Sequence, residues 1–312
     1  MPADIFGQLP PYREAMARGD WKKAIALLEG LCGEDGPSGL APAERIALAS
    51  LYGTTGDHRR AVSVLEELCG HRSARISSEA HARLAAHELR YGDASASTVE
   101  ELLEKATSLA DSDARAQGVV AHVRSQWHRA NFELDESGQW LEQARELLES
   151  VGDEEELAKV LDSLATYHEH RGESDRALSC YSLSLAKKAQ WRDLHGIAIT
   201  IGNLGRFHLR NKDAQVALLF FRDDLRIAHQ MGDRRAESVI KVNIGQALAD
   251  LGRLDDARVE IEEALDLAHQ QGWLQNEIYA IKDLARVVAL QGDSGRAHAL
   301  CSRHSKCCQT AP

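Results

Sequence analysis

Proline is scarce in this sequence and is confined to its two ends. The six prolines among 312 residues stand at positions 2, 10, 11, 37, 42 and 312, so the run from Ala43 to Ala311 contains none. Proline interrupts helices because it lacks a backbone N–H and its ring clashes with the preceding turn. The long proline-free run therefore permits uninterrupted helices and excludes proline kinks within them.

Long apolar runs are also absent. No window approaches the ~20 apolar residues that a membrane-spanning helix needs, and the N-terminus lacks an apolar run of signal-peptide length. Positive charge is in deficit, with 37 Lys and Arg against 48 Asp and Glu and a formal net charge of −11. Sequence-independent nucleic-acid binding depends on Lys and Arg that neutralise phosphates. These absences predict a cytoplasmic protein that binds neither membranes nor nucleic acid.

Cysteine is sparse and shows no framework of regular spacing, so we expect reduced thiols. The cluster Cys301, His304, Cys307 and Cys308 has side chains that suit zinc, and three of the four share one stripe if the last helix continues that far. The alternative is that Cys301 occupies a core position, as Tyr181 does in an earlier copy of the repeat described below. Spacing does not decide between the two, and no metal site is predicted.

Motifs of known enzyme classes are missing too. The sequence contains neither a Walker loop nor a G-x-G-x-x-G dinucleotide loop. The G-D-S-G stretch at 292–295 is similar to the surroundings of a serine-protease nucleophile, but it stands in the repeat register of Gly172 and Gly252, so we interpret it as a hairpin turn. His168 and His170 are two residues apart and lie on different sides of a helix. We therefore predict no enzyme and no cofactor.

What the sequence does contain is a repeat. A large residue followed by a small one, with Gly and Ala further on, returns every 40 residues through the second half and fades towards the N-terminus. The clearest copies begin at Leu164-Ala165, Leu204-Gly205, Ile244-Gly245 and Leu284-Ala285. A small residue lets two helices approach closely where they cross, so each copy predicts a helix hairpin. About eight copies occupy nearly the whole chain.

These residues, in the pattern L-[GA]-x-x-[YHL] followed by G-x-x-x-x-A, resemble the tetratricopeptide repeat (TPR) family over roughly residues 9–304. The stretch from Leu225 to Glu237 resembles the long-helix subclass, with about 40 residues per repeat, of LGN/Pins, kinesin light chains and bacterial MalT- and Rap-type arrays. The resemblance implies an all-α fold, a right-handed superhelical α-solenoid of about eight helix hairpins.

The predicted domain organisation is a single solenoid domain over residues 1–312. A solenoid grows by contacts between neighbouring repeats, so it can remain one body at this length. Its expected parts are a degenerate first repeat at 9–32, a linker at 33–42, repeats at 43–304 and a short tail at 305–312.

Three histidines, His128, His168 and His208, recur at steps of 40 residues. Equivalent positions on stacked helices lie about 8–10 Å apart, whereas zinc holds each histidine nitrogen at about 2 Å. A shared metal site is therefore excluded, and we interpret the three as half-buried packing residues.

The resemblance places the binding surface on the first helix of each hairpin, which lines the concave side of TPR arrays. The expected ligand-binding residues are Asn203, Arg206, Arg210, Asn243, Gln246, Lys282, Asp283 and Arg286. Asn203 and Asn243 share one register and are similar to the asparagine ladder of LGN and kinesin-light-chain grooves. An amide offers a donor and an acceptor, so it can hold a peptide backbone. The alternative is that each amide bonds to a neighbouring turn.

Four cations flank the two asparagines, namely Arg206, Arg210, Lys282 and Arg286. Such a strip favours a ligand with carboxylates or phosphate, because arginine can bind either in bidentate fashion. The alternative is a solvated face whose cations are neutralised within the protein by Asp162, Asp250 and Asp283.

The function predicted from these features is a protein-interaction scaffold that binds a peptide or partner segment, with acidic groups favoured. The alternative is a regulatory sensor module that binds a small ligand or signalling peptide and controls an associated effector. The last repeat ends without an extra polar helix, so we also expect self-association or effector contact at the C-terminal end, through residues such as Leu290 and Leu300.

Overall fold

The computed structural model describes residues 10–33, 36–92 and 94–310, with side chains up to residue 303. Within these ranges the chain forms sixteen α-helices and a short 3₁₀ helix at Gly36–Gly39, and no strand. The α-helices are α1 (Pro11–Ala17), α2 (Trp21–Leu31), α3 (Pro42–Thr55), α4 (His58–Cys69), α5 (Ala74–Tyr91), α6 (Ala96–Ala110), α7 (Ala114–Ala130), α8 (Leu134–Val151), α9 (Glu154–His170), α10 (Ser174–Gln190), α11 (Leu194–Arg210), α12 (Ala214–Met231), α13 (Arg234–Asp250), α14 (Leu254–Gln271), α15 (Leu274–Leu290) and α16 (Ser294–Thr310). The predicted all-α fold of helix hairpins is confirmed.

The helices pair in chain order into hairpins, α1 with α2 through to α15 with α16, and each pair packs along its length. From α9 onward every helix has 17 or 18 residues. Two helices of that length and two short turns account for the 40-residue period. The first hairpin is shorter, with helices of 7 and 11 residues. In the described part of the chain, no helix has the length and apolar character needed to cross a membrane.

The chain divides into two compact units. The N-terminal unit, residues 1–193, contains α1–α10, and its buried apolar side chains form clusters between successive helices. The C-terminal unit, residues 194–312, contains α11–α16 around a cluster that includes Phe221, Ile261 and Leu284. The single domain over 1–312 stays a prediction.

Glycine makes the close helix crossings possible. At Gly205 an added Cβ would lie 2.4 Å from the Phe221 ring, and at Gly245 it would lie 2.4 Å from Cγ1 of Ile261. Real Cβ atoms do not approach so closely in a packed interior. The interpretation of the small residue as a crossing point is confirmed for the copies at Gly205 and Gly245.

The turns between hairpins follow the expected chemistry at α8–α9 and α12–α13. Gly152 and Gly232 end the preceding helices in the left-handed conformation, with φ of 69° and 68°. Asp233 then accepts a hydrogen bond from the backbone N–H of Ala236 at 2.9 Å and so begins α13. The G-D-S-G stretch begins in the turn between α15 and α16, as interpreted, and Asp293 there accepts a hydrogen bond from the N–H of Arg296 at 2.9 Å.

Two turns inside hairpins keep the left-handed conformation without glycine. Phe132 and Lys212 have φ of 64° and 65° at the register where Gly172 and Gly252 stand in their own repeats. Residues with a side chain adopt this conformation at an energetic cost. Packing of the two helices on either side of the turn therefore imposes the conformation, and the local sequence does not favour it.

Candidate functional site

The first helices of the C-terminal unit, α11, α13 and α15, each carry a stripe of side chains spaced four, three and four residues apart. Such spacing places residues on one side of a helix. The stripes are Ile199, Asn203, Arg206 and Arg210 on α11, Val239, Asn243, Gln246 and Asp250 on α13, and Tyr279, Asp283, Arg286 and Leu290 on α15. With Lys282 they form what we call the first-helix face. It contains every predicted binding residue, and α13 contacts both α11 and α15.

Hydrogen bonds and ion pairs join the stripes of α13 and α15. Gln246 Nε2 donates to Asp283 Oδ2 at 2.9 Å. The Arg286 guanidinium lies between two carboxylates, 3.5 Å from Asp283 Oδ1 and 3.6 Å from Asp250 Oδ1. The alternative that cations are neutralised within the protein is therefore correct for Arg286. Asp283, predicted as a ligand contact, is buried and serves to link the two helices.

The other polar groups of the face differ in exposure and in contacts. Arg206 is exposed and donates to Oδ1 of Asn203, one turn earlier on the same helix. Within the described residues, Lys282 is exposed without an ion pair and the half-buried amide of Asn243 has no hydrogen-bond partner. Arg210 is exposed at the C-terminal end of α11. Neither Asn203 nor Asn243 forms a hydrogen bond with a neighbouring turn in the described residues, so the alternative role as a turn contact is not observed.

A row of apolar side chains borders these polar groups, and the sequence reasoning missed it. Ile199, Val239 and Tyr279 are 47%, 41% and 52% exposed. They share one repeat register, 40 residues apart on α11, α13 and α15. The sequence carries a signal for them, because they recur every 40 residues. Each stands four positions before an asparagine or aspartate of the face and so lies on the same side of its helix.

A buried carboxylate lies behind the face. Asp224, on α12, is 7% exposed and forms no hydrogen bond or ion pair with any described residue. Its Oδ2 lies 2.8 Å from where a Cβ of Gly202 would stand, so the glycine leaves the space that the carboxylate occupies. Burial raises the pKa of Asp224 to about 7, although the nearby Arg206 opposes the shift. The equivalent positions of the neighbouring repeats are occupied by the uncharged residues Ser184 and Ala264, so a carboxylate at this position is particular to this repeat.

First helices of the N-terminal unit carry a denser ion-pair network. Arg83 Nη2 lies 2.6 Å from Glu156 Oε1, and Arg115 bridges Glu79 at 2.5 Å and Asp153 at 2.7 Å. These pairs connect α5, α7 and the start of α9. The charged groups of this network serve to bind the repeats to each other.

The histidine series makes a contact that the sequence interpretation did not include. Each imidazole Nδ1 faces the carboxylate of the residue that begins the second helix of its own hairpin: His128 with Glu133 at 2.6 Å, His168 with Glu173 at 2.7 Å and His208 with Asp213 at 3.5 Å. The hydrogen bond from His168 lowers the pKa of Glu173. The histidines are thus packing residues, as predicted, and also tie the two helices of each hairpin together.

The cysteine and histidine cluster near the C-terminus falls largely outside the described side chains. Cys301 is exposed, whereas the residues in its register in the three preceding repeats are buried. The side chains of His304, Cys307 and Cys308 are outside the described residues. Among the side chains described, no group of three or more His, Cys, Asp or Glu is arranged to hold a metal ion.

Comparison with known families and curated proteins gives one family match. The sequence profile of the tetratricopeptide repeat matches residues 240–270, which run from α13 into α14. No curated protein matches the chain.

Solved structures with the same fold include sensor and peptide-bound proteins. A Signal Transduction ATPase with Numerous Domains (STAND) from Pyrococcus horikoshii, with a tetratricopeptide repeat sensor, has a TM-score of 0.62 at 16% identity over 95% of this chain and 45% of its own. A Rap protein complexed with Competence and Sporulation Factor has a TM-score of 0.62 at 17% identity, over 95% of this chain and 77% of its own. NprR in complex with its cognate peptide NprX has a TM-score of 0.62 at 14% identity, over 86% of this chain and 79% of its own.

At these identities the likeness is one of fold. The chain spans less than half the length of the STAND protein that it matches. The predicted resemblance to tetratricopeptide repeats is confirmed by the family match at residues 240–270 and by the fold shared with these structures.

Proposed function

We propose that this chain, which is built from tetratricopeptide repeats, is a non-catalytic interaction module that binds a peptide or partner segment on its first-helix face. The observation that carries the proposal is the Asn243 amide, which belongs to a partly exposed side chain of this face and has no hydrogen-bond partner among the described residues. Its donor and its acceptor are therefore available to a ligand. A peptide backbone supplies the N–H and C=O that an amide needs.

The ligand we propose carries acidic groups. Arg206 and Lys282 are exposed and form no ion pair with a carboxylate among the described residues. Arg286 contributes less than its formal charge because Asp250 and Asp283 lie beside it. Arg206 and Lys282 are therefore the cations to which we assign the attraction. The cytoplasmic location stays a prediction.

A regulatory sensor is the second candidate. The fold is similar to a tetratricopeptide repeat sensor of a STAND protein and to Rap and NprR structures that hold a signalling factor or cognate peptide. In that role the same face binds a signalling peptide, and binding alters an associated effector. The adaptor and sensor roles share the binding step, and they differ in whether an effector's activity changes when the peptide is added.

Charge reversal on the first-helix face is the test. We expect Arg206→Glu with Lys282→Glu to reduce capture of an acidic partner at least about ten-fold in a quantitative pull-down, because two attractions become repulsions. The loss should shrink as salt is added. Arg222→Glu with Arg226→Glu is the matched control, since it reverses two exposed charges on the second helix α12. Identical sets of captured proteins from both variants would mean that this face is not the binding site.

The C-terminal end is a further proposed contact surface, for a second copy or an effector. Leu290 is 58% exposed, whereas Leu300 is half-buried against the core cluster, and Val287 and Val288, which the sequence left open, are buried. We expect wild-type self-association in sedimentation velocity to be lost in Leu290→Glu, because apolar contact drives such association. Leu219→Glu, at a 62% exposed leucine on α12, is the control. A wild-type protein that stays monomeric at high concentration would contradict self-association.

A further inference from the structure

We propose that Asp224 is a proton-dependent contact between α11 and α12: its neutral carboxyl group donates a hydrogen bond to the backbone carbonyl of Ala198, and ionisation breaks that bond. The contact belongs to the fold of the C-terminal unit and does not depend on what the first-helix face binds.

Two other hairpins show the contact that such a bond would reproduce. Ser184 Oγ on α10 donates to the backbone carbonyl of Ala158 on α9 at 3.0 Å, and both residues are buried. Ser238 Oγ on α13 donates to the carbonyl of Ala264 on α14 at 3.1 Å. Although the hydroxyl is on the second helix in one hairpin and on the first helix in the other, the two positions are the same. A side-chain donor at this crossing therefore bonds to the backbone of the opposite helix.

The hairpin of α11 and α12 has Ala198 and Asp224 at these two positions. Each stands 40 residues after its equivalent, Ala158 or Ser184. A carboxylate only accepts hydrogen bonds, as a backbone carbonyl does, so the ionised side chain cannot bond at a place where Ser184 donates. A protonated carboxyl group has an O–H and can donate there. This difference explains why Asp224, drawn as a carboxylate, has no hydrogen-bond partner among the described residues.

Gly202 fixes where the carboxyl group lies on α11. A Cβ at Gly202 would stand 2.8 Å from Oδ2 of Asp224, so this oxygen lies against the α11 backbone. In an α-helix the carbonyl of each residue points along the axis towards the residue four positions later, so the Ala198 carbonyl points towards Gly202. The helical bond to the Gly202 N–H uses one lone pair of that carbonyl oxygen, and a second lone pair is left for a further donor.

The surroundings favour the neutral form of this carboxyl group. Burial raises its pKa to about 7, and of the charged groups that act on it, Arg206 of α11 lowers the pKa while Asp233, at the turn before α13, raises it. The buried carboxylate of α13, Glu237, lies 3.0 Å from Arg234 and 3.8 Å from His229. The charge of Glu237 is thus balanced by its own neighbours.

The expected consequence is a hairpin whose cohesion depends on pH. A proton on Asp224 adds a bond between α11 and α12, and its loss leaves a buried negative charge opposite a carbonyl dipole. Because the folded state holds this proton more tightly than the unfolded state, the contact is strongest at acid pH and is lost as the pH rises through about 7. The helix α11 carries Asn203 and Arg206, so the same proton determines how firmly that part of the first-helix face is held.

Hydrogen exchange of the full chain, read by mass spectrometry on peptides from α11 and α12, tests the contact at pH 5 and pH 8. Protection factors remove the pH dependence of the exchange chemistry itself. Asp224→Ser supplies the donor found at Ser184 without a titrating group, and Asp224→Ala places there the residue found at Ala264 and removes the donor. Asp223→Ser is the matched control, because the Asp223 side chain is 60% exposed.

We expect wild-type protection to fall at least about ten-fold from pH 5 to pH 8 relative to Asp224→Ser, because the pKa of Asp224 is higher in the folded state than in the unfolded state. At pH 5 the wild type and Asp224→Ser should both be at least about three-fold more protected than Asp224→Ala, which has lost one hydrogen bond. Asp223→Ser should follow the wild type at both pH values.

Two exchange results would overturn the inference. Equal protection in Asp224→Ser and Asp224→Ala at both pH values would mean that a donor at this position forms no bond with α11. A wild type that keeps a constant ratio to Asp224→Ser between pH 5 and pH 8 would mean that the carboxyl group does not titrate in this range. Circular dichroism checks that each variant is folded.

A second measurement follows the proton without relying on stability. Carbon-13 NMR of the Asp224 carboxyl group should show a titration midpoint between about pH 6 and pH 8, well above the ordinary value of an aspartate. Arg206→Gln should move the midpoint upwards, because Arg206 lowers this pKa. A wild-type midpoint below about pH 5 would show that Asp224 is ionised at neutral pH and would overturn the proposed bond.

Discussion

Glu156→Gln is expected to lower the free energy of unfolding by about 3–5 kcal/mol at neutral pH. Glu156 is 4% exposed, and its Oε1 accepts hydrogen bonds from Arg83 at 2.6 Å and Lys159 at 2.8 Å. Glutamine keeps the size of the side chain but removes the charge. The largely buried Arg83 would then retain only Glu79, at 3.3 Å. A largely buried guanidinium that loses one of its two carboxylates is costly because water solvates it poorly.

The neighbouring residue provides the control for this prediction. Glu155 has a side chain that is 61% exposed and lies 3.5 Å from the same lysine. Glu155→Gln should change stability by less than about 1 kcal/mol, because exposed ion pairs contribute little. Urea unfolding followed by circular dichroism measures both variants. If Glu155→Gln and Glu156→Gln lower the free energy of unfolding equally, burial is not the cause of the effect at Glu156.

The effect of Glu156→Gln should also depend on pH. Burial acts to raise the pKa of Glu156, but Arg83 and Lys159 outweigh burial and hold the pKa well below its ordinary 4.5. A carboxyl whose pKa is lower in the folded state contributes its full stability above the unfolded pKa and loses it as the pH falls further. The difference in the free energy of unfolding between the wild type and Glu156→Gln should therefore become smaller below about pH 4.5.

Asp224→Asn is expected to act in the opposite direction and raise stability at pH 8 by up to about 4 kcal/mol. Burial raises the pKa of Asp224 from 3.8 to about 7, against the attraction of Arg206 and with help from Asp233. Because the folded state binds the proton more tightly than the unfolded state, stability is greatest below about pH 4 and falls as the pH rises to about 7. Asparagine has nearly the same shape and does not ionise.

Thermal unfolding at pH 5 and pH 8 tests this second prediction. The gain from Asp224→Asn should be larger at pH 8, where the wild-type carboxylate is ionised. Asp223→Asn is the control, because Asp223 is the adjacent residue with a 60% exposed side chain that pairs with Arg226 at 3.4 Å. A gain that does not change with pH would mean that asparagine packs better, and that the buried charge is not the cause.

Much of the candidate site was predictable because helix register is a local property. Once the 40-residue repeat is recognised, Asn203 and Asn243 must occupy equivalent places on successive first helices, and the structure places them so. The repeat register does not predict which residue each side chain pairs with. Lys282 stays without an ion pair among the described residues, and Arg286 on the same helix is paired with Asp250 from the preceding repeat. That difference depends on how α13 and α15 pack.

The sequence by itself determined the helix hairpins, the close crossings at Gly205 and Gly245, and the turns at Gly152 and Gly232. All of these follow from contacts within one repeat or between neighbours in the chain. Only the tertiary structure decided which charges are buried and which are open. Asp224 and Asp223 are adjacent in sequence, yet one is 7% exposed and titrates near pH 7 while the other lies at the surface. The physical reason is that desolvation depends on the atoms that surround a group in three dimensions, and those atoms come from other helices.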